Sequence, residues 1–274
     1  MKKYLPAILM WSIFEIIAVV LWLMLDNIFY FFNFTYIGSA IGAALVLYTA
    51  EKKYARCLVQ FLVGTYMLVY LGIICRENMQ ISGFWYYLFL GVFEAAVIHY
   101  AVAKIFGPLV FGRGWCGYAC WTAMILDLLP FRTPEYPRRK WGYIRYIVFA
   151  ASLCFTALLF VSGVQDKEYI IWISFIAGNV LYYLSGIVLA FVCRDNRAFC
   201  KYICPVTVFL KPASYFSLMR IRLDEEKCIS CGMCAKVCPM DVELPSDSRN
   251  RVNGTECILC MKCIDVCPKK ALHL

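Results

Sequence analysis

Charge is scarce in this chain. Asp, Glu, Lys and Arg make up 16% of its 274 residues against 62% hydrophobic ones, and mean hydropathy is +0.68. Such a balance excludes an ordinary soluble domain. Histidine is nearly absent too: there are two, only His99 lies in an apolar run, and no CxxCH occurs, which argues against haem held between helices. Other absences remove further classes. There is no phosphate-binding glycine loop, dinucleotide fingerprint or hydrolase nucleophile motif, so direct oxidation of NADH by this chain is not expected. The formal net charge of +9 invites nucleic acid, but no basic tract interleaves with stacking aromatics, and nucleic acid is not an expected partner.

What is present is apolar sequence of membrane-spanning length. Crossing the hydrocarbon core takes roughly 20 residues of helix, and six stretches suffice, at 5–25, 28–50, 57–75, 84–106, 143–164 and 169–192. Met1 to Asp26 resembles a signal peptide, but no small-x-small cleavage site follows, so it is expected to remain as the first span. Six spans place Lys2, Lys3, Lys52, Lys53, Arg56, Arg113, Arg132, Arg138, Arg139, Lys140, Arg145, Arg194, Arg197 and Lys201 on one side, and Arg76 and Lys167 on the other. The positive-inside rule then puts both chain ends in the cytoplasm, with the protein in the cytoplasmic membrane. Trp85, Tyr86, Trp141 and Tyr143 read as interfacial anchors. Gly107-Pro108 breaks the pattern after the fourth span, and the apolar stretch up to Leu129 is expected at the membrane surface or partly inserted.

Cysteine is abundant, with sixteen in all. Eight fall after Arg222 in two runs, CISCGMCAKVCP from Cys228 and CILCMKCIDVCP from Cys257, 29 residues apart. CxxCxxCxxxCP repeated twice points to metal ligation in a reducing compartment rather than to a disulfide framework. Three thiolates spaced two apart wrap one face of a [4Fe-4S] cubane, and the fourth, before proline, ligates the other cluster. Two clusters are therefore expected, one on Cys228, Cys231, Cys234 and Cys267, the other on Cys257, Cys260, Cys263 and Cys238. Zinc ribbons also use CxxC pairs, but they do not account for two identical four-cysteine runs ending in proline. Residues 223–274 resemble a bacterial-type 2[4Fe-4S] ferredoxin, which implies a small α+β fold of pseudo-two-fold symmetry and low-potential one-electron transfer. Residues 1–222 form the membrane domain.

A second repeat lies inside that membrane domain. RGWCGYACW from Arg113 and RAFCKYICP from Arg197 both read Arg-x-aromatic-Cys-x-Tyr-x-Cys. Spans three and four with the first motif, then five and six with the second, would be parallel repeats. If each motif is helical, its cysteines at i and i+4 share a face, and two such faces offer four thiols. Cys116, Cys120, Cys200 and Cys204 are thus candidates for a third metal centre or a redox dithiol, with Arg113 and Arg197 placed to favour thiolate or to stabilise an anionic centre. Packing at helix ends is the alternative use of such cysteines. Cys193 is an outlying candidate ligand. Cys57, Cys75 and Cys154 stand singly and read as packing residues.

With these motifs the whole layout resembles the NapH, NosR and CcoG group of membrane polyferredoxins. Cys200, Cys204 and Pro205 match the family's CxxxCP motif, whereas Trp121 stands where the first motif would have proline. The arrangement is most like NapH, from whose usual four spans the six here depart. The resemblance implies electron movement between the quinone pool and partner redox proteins, or reduction of copper during oxidase assembly. Glu15, Glu94 and His99 are the ionisable residues expected within spans, where such groups are costly and by default functional candidates. Glu94 and His99 could handle the protons of a quinol, the alternative being buried groups bonded to neighbouring helices. The function expected is an electron-transfer subunit joining cytoplasmic [4Fe-4S] clusters to a quinone or an extracytoplasmic redox protein. A metal reductase or metallocentre-assembly factor, and a redox sensor, are the competing readings.

Overall fold

A computed structural model of the chain describes residues 4–50, 52, 54–93, 95–242 and 254–274. It is helical apart from one two-residue strand pair. Helices α1 (Leu5–Leu25) and α2 (Ile28–Thr49) form a tight hairpin. Asp26 turns the chain in the left-handed region, and the Asn27 side chain accepts a hydrogen bond from the Phe29 N–H at 3.0 Å, capping α2. The two helices touch at small residues: a Cβ on Gly38 would lie 2.4 Å from Phe14 Cβ, and one on Gly42 would lie 3.4 Å from Trp11 Cβ. Such close backbone approach drives helix association where water supplies no hydrophobic force.

Helix α3 (Ala55–Thr65) runs on as a π-helix through Ile74. Five helical stretches among the described residues are long and apolar enough to cross a membrane: Ala7–Leu25, Ile28–Thr49, Ala55–Ile74, Trp141–Val161 and Lys167–Cys193. The expected fourth span differs. It is broken at Gly91, which has φ +71° and ends α4 (Ile81–Leu90), and helical structure resumes in α5 (Ala95–Tyr100), continuing as a π-helix to Phe106 and as α6 (Gly107–Phe111). The two pieces still join opposite ends of the bundle. Asn78, just before α4, donates to the Ile171 carbonyl near the start of α10 (Lys167–Cys193), whereas the residues after α6 lie against the C-terminal module.

Two short helices, α7 (Gly114–Tyr118) and α8 (Trp121–Leu126), follow, and then α9 (Ile144–Val161) and α10 complete the bundle. Helices α11 (Ala198–Tyr202) and α12 (Thr207–Tyr215) lead into the C-terminal module. There β1 (Arg222–Leu223) pairs antiparallel with β2 (Leu272–His273), Arg222 opposite His273, and between them stand α13 (Met233–Lys236) and α14 (Lys262–Asp265). One apolar core runs across the junction. It joins Cys116, Leu126, Phe199, Cys200 and Leu210 to Ile221, Met240, Ile258, Leu259 and Leu272. Fully burying a leucine contributes about 1.5–3 kcal/mol, so Leu126 and Leu210, neither of them exposed at all, help clamp the module to the bundle.

Candidate iron–sulfur centres and the four-cysteine site

The eight C-terminal cysteines gather around two cavities. Cys228, Cys231, Cys234 and Cys267 line one, and Cys238, Cys257, Cys260 and Cys263 line the other. The two loops are built alike at residues 29 apart. Ser230 and Leu259 (φ 51° each), Gly232 and Met261 (φ 72° and 63°), and Asp241 and Lys270 (φ 53° and 50°) are left-handed in pairs. Non-glycine residues adopt this region only where their surroundings compel it, and here it turns backbone N–H groups toward sulfur. Ser230 N–H donates to Cys228 Sγ at 3.4 Å, Val242 N–H to Cys238 Sγ at 3.4 Å and Ala271 N–H to Cys267 Sγ at 3.3 Å.

This donor set fits [4Fe-4S] clusters, whose potentials depend on such bonds to sulfur. The two sites differ in exposure: Cys231 is exposed beside Ile229 and Met233, while Cys263 is buried and Ile258 and Leu259 face the membrane module.

The second repeat is also brought together. Cys116, Cys120, Cys200 and Cys204 are mutual electrostatic neighbours at the junction of α7, α8 and α11. The expected shared helical face is not how this happens. Cys116 and Cys200 lie in five-residue helices, which end at Tyr118 and Tyr202, so Cys120 and Cys204 follow in turns. The arginines cross over: Arg197 of the second motif donates to the Cys116 carbonyl at 3.0 Å, and Arg113 of the first donates to the Cys200 carbonyl at 3.4 Å. Each is anchored by an acid from elsewhere. Arg197 makes a two-pronged bond to Asp127 at 2.7 and 2.6 Å, shared with Arg56 at 2.8 Å, and Arg113 pairs with Glu256.

Arginine does not leave the Cys200 and Cys204 thiols lowered. Burial pushes Cys200 up to about 11 against the pull of Arg197, and Cys204 up to about 12. A metal would have to displace their protons. Burial opposes ionisation of Glu256 as well, but Arg113, Arg138, Lys211 and Arg145 hold its carboxyl well below the usual range. Its oxygen atoms accept from Lys211 at 2.9 Å, Arg138 at 3.0 Å and Arg145 at 3.5 Å. Four cations from four segments thus meet one carboxylate placed directly before Cys257.

Of the intramembrane candidates, Glu94 lies outside the described residues. His99 is buried with its ring 5.3 Å from that of Trp115, and its Nε2 has no hydrogen-bond partner among the described residues. Glu15 accepts from Thr35 Oγ1 at 3.0 Å. Cys193 packs with Ala198 and Tyr202, away from the four cysteines. Cys57 and Cys154 on their helices, and Cys75 just after the π-helix, are exposed rather than packed in the core.

Lys104 is the residue that span counting passed over. It sits at the C-terminal end of the fourth apolar run, 5% exposed, with Nζ 4.8 Å from the centroid of the Trp115 ring and no carboxylate partner among the described residues. A desolvated cation–π contact contributes about 2 kcal/mol, less than the several kcal/mol that burying an ion costs. The rule that intramembrane charges mark function would have found it. Glu256 and Asp127 offered no such signal, since only the fold brings the arginines to them.

A 4Fe-4S dicluster domain model matches residues 220–268, and a 4Fe-4S binding domain model matches twice, at 96–144 and 179–223, each match containing one of the paired-cysteine motifs. These matches and the apolar helices define an iron–sulfur electron-transfer protein of the ferredoxin type that could span a membrane. Among its relatives are two uncharacterized proteins of Methanocaldococcus jannaschii. One is 28% identical over 178 residues, covering 61% of this chain and 67% of the relative, and the other is 26% identical over 203 residues, covering 62% and 84%. The methylamine utilization ferredoxin-type protein MauN of Paracoccus denitrificans is 26% identical over 161 residues, covering 53% of this chain and 54% of that protein. No solved structure matches.

Proposed function

We propose that the chain is a membrane-embedded electron-transfer subunit whose cytoplasmic module, residues 223–274, holds two [4Fe-4S] clusters and whose residues 1–222 hold a third metal centre on Cys116, Cys120, Cys200 and Cys204. The observation that carries this reading is the crossed-arginine junction, which gathers four cysteines from two distant motifs and seats them against the loop of Cys257, Cys260 and Cys263. Gly117 follows Cys116, Ile258 follows Cys257, and a Cβ on Gly117 would come within 2.3 Å of the Ile258 carbonyl oxygen. Packing alone would not call for a matching pair of buried arginines, each anchored to a different carboxylate.

A [4Fe-4S] cluster supplies reversible uptake of one electron. The contacts support an order of sites in which the four-cysteine site stands next to the bundle, then the buried loop of Cys263, then the exposed loop of Cys231, where a cytoplasmic redox subunit would meet the module. Beyond the membrane end the partner is a quinone or an extracytoplasmic electron-transfer protein. In the quinone case His99, one helix away from the four cysteines, is the residue that would exchange the proton. Lys and Arg clustering supports a cytoplasmic module and a chain in the cytoplasmic membrane, in which α4 to α6 together would make the fourth of six crossings. Ile81 and Phe84 of α4 pack against Val97 and Tyr100 of α5, while Val92 and Phe93 in the break between them are exposed, as irregular backbone can be where it lies outside the hydrocarbon.

The test is metal analysis with EPR of the anaerobically purified chain, followed by a quinol titration. Iron beyond the two clusters, lost when the four cysteines are replaced by serine, supports the third centre. Failure of quinol to reduce any cluster, with or without a membrane extract, rules out the quinone branch.

A further inference from the structure

Lys104 has no partner in the function just described, and its surroundings say what it is for. It lies one turn after Tyr100 on the π-helical segment Ala101–Phe106, and π-turns in helices frequently mark functional sites. Its electrostatic neighbours are Cys116, Cys120 and Cys204, together with His99. The Trp115 ring beneath it immediately precedes Cys116. Two further polar atoms there are buried without partners among the described residues, Nε1 of Trp115, an obligate donor, and Nε2 of His99. An ammonium and an indole N–H therefore stand together, and no carboxylate among the described residues pairs with the ammonium. Contact with the indole ring recovers only part of the cost of burying a charge. The remainder calls for an anion, and among the described residues the cysteines are neighbours able to become one.

The repeat does not supply a second such cation. Arg197 stands 84 positions after Arg113, and the residue 84 after Lys104 is Val188, which faces outward at 60% exposure. We propose, resting on the reading of Cys116, Cys120, Cys200 and Cys204 as a metal centre, that this centre is a net-anionic metal–thiolate cluster. Lys104 is then its counter-charge on the membrane side and a positioning residue that sets its reduction potential. Arg113 donates to the Cys200 carbonyl, and Arg197 to the Cys116 carbonyl and, at 3.9 Å, to Cys200 Sγ, while Lys104 approaches from the bundle. Reduction adds negative charge to such a cluster, so a fixed ammonium beside it favours the reduced form.

The experiment is an EPR-monitored redox titration of the full chain in lipid nanodiscs, reconstituted anaerobically with iron and sulfide, comparing wild type with Lys104→Met and Lys104→Arg. The expected result is a third signal whose potential falls in Lys104→Met and stays close to wild type in Lys104→Arg. The two ferredoxin signals should be unchanged in both and serve as the check that the chain has folded. Selective loss of the third signal in Lys104→Met, with the ferredoxin signals intact, would equally support the assignment. A third signal titrating at its wild-type potential in Lys104→Met would overturn it, and an accompanying loss of quinol reduction would transfer Lys104 to a quinone headgroup. If wild type itself gives no third signal, the metal-centre reading fails before Lys104 is tested.

Discussion

Replacing Gly117 by alanine should loosen the seat of the ferredoxin module and separate the four-cysteine site from the nearer cluster loop. The added Cβ would stand 2.3 Å from the Ile258 carbonyl oxygen and 3.4 Å from its carbon. Both partners are backbone, so no side chain can swing aside, and about 1 Å of displacement is needed to restore ordinary contact. Overpacking of this size costs about 1–3 kcal/mol, against which alanine in a helix recovers roughly 0.5–1 kcal/mol. The displaced segments carry two further ties, Tyr118 Oη donating to the Leu259 carbonyl at 2.9 Å and Arg56 donating to the Gly117 carbonyl at 3.1 Å. The expected result is a lower thermal midpoint, together with slower electron equilibration between membrane-side and cytoplasmic centres in a flash-reduction experiment. Both clusters should remain bound, since no ligand is touched. Unchanged stability and unchanged equilibration in Gly117→Ala would refute the seating of α7 against the Cys257 loop.

Three other outcomes follow from the same contacts. Glu256→Gln leaves the buried Arg113 and Arg145 without their carboxylate; breaking such a set costs about 3–5 kcal/mol, so limited proteolysis should release the C-terminal module from the variant and not from wild type. Gly38→Leu inserts a side chain where even a Cβ would lie 2.4 Å from Phe14 Cβ, so α1 and α2 must part, and a cysteine crosslink between the helices should form less readily while iron content stays constant. Cys231→Ser and Cys263→Ser should each remove one ferredoxin signal. Because Cys231 is exposed and Cys263 buried, the signal tied to Cys231 should be the more readily bleached by a water-soluble oxidant in wild type.

The grouping of the eight C-terminal cysteines was legible in the sequence because cluster chemistry would fix such spacing. CxxCxxCxxxCP leaves little freedom, and the cavities are lined by the two sets the repeat implied. Duplication made the second site visible, since Arg, aromatic, Cys, Tyr and Cys recur in register. What spacing could not convey was how the motifs fold: the helices stop at Tyr118 and Tyr202, so the cysteines converge through turns and crossed arginines. The fourth apolar run had the length of a span, but hydropathy averages over Gly91 and does not register a left-handed residue that ends a helix. Glu256 and Asp127 were unreadable for a different reason. Their partners are 143 and 70 residues away along the chain, and an acid beside a cysteine run looks the same whether it is solvated or meets four cations.

The account depends most on the four-cysteine site being a metal centre in series with the ferredoxin. Iron and acid-labile sulfide per chain, measured on anaerobically purified protein before and after replacing Cys116, Cys120, Cys200 and Cys204 with serine, tests this directly. The account predicts wild type above the eight irons of two [4Fe-4S] clusters and the variant at eight, with both ferredoxin signals retained. Eight irons in wild type and variant alike, with identical EPR spectra, would contradict it.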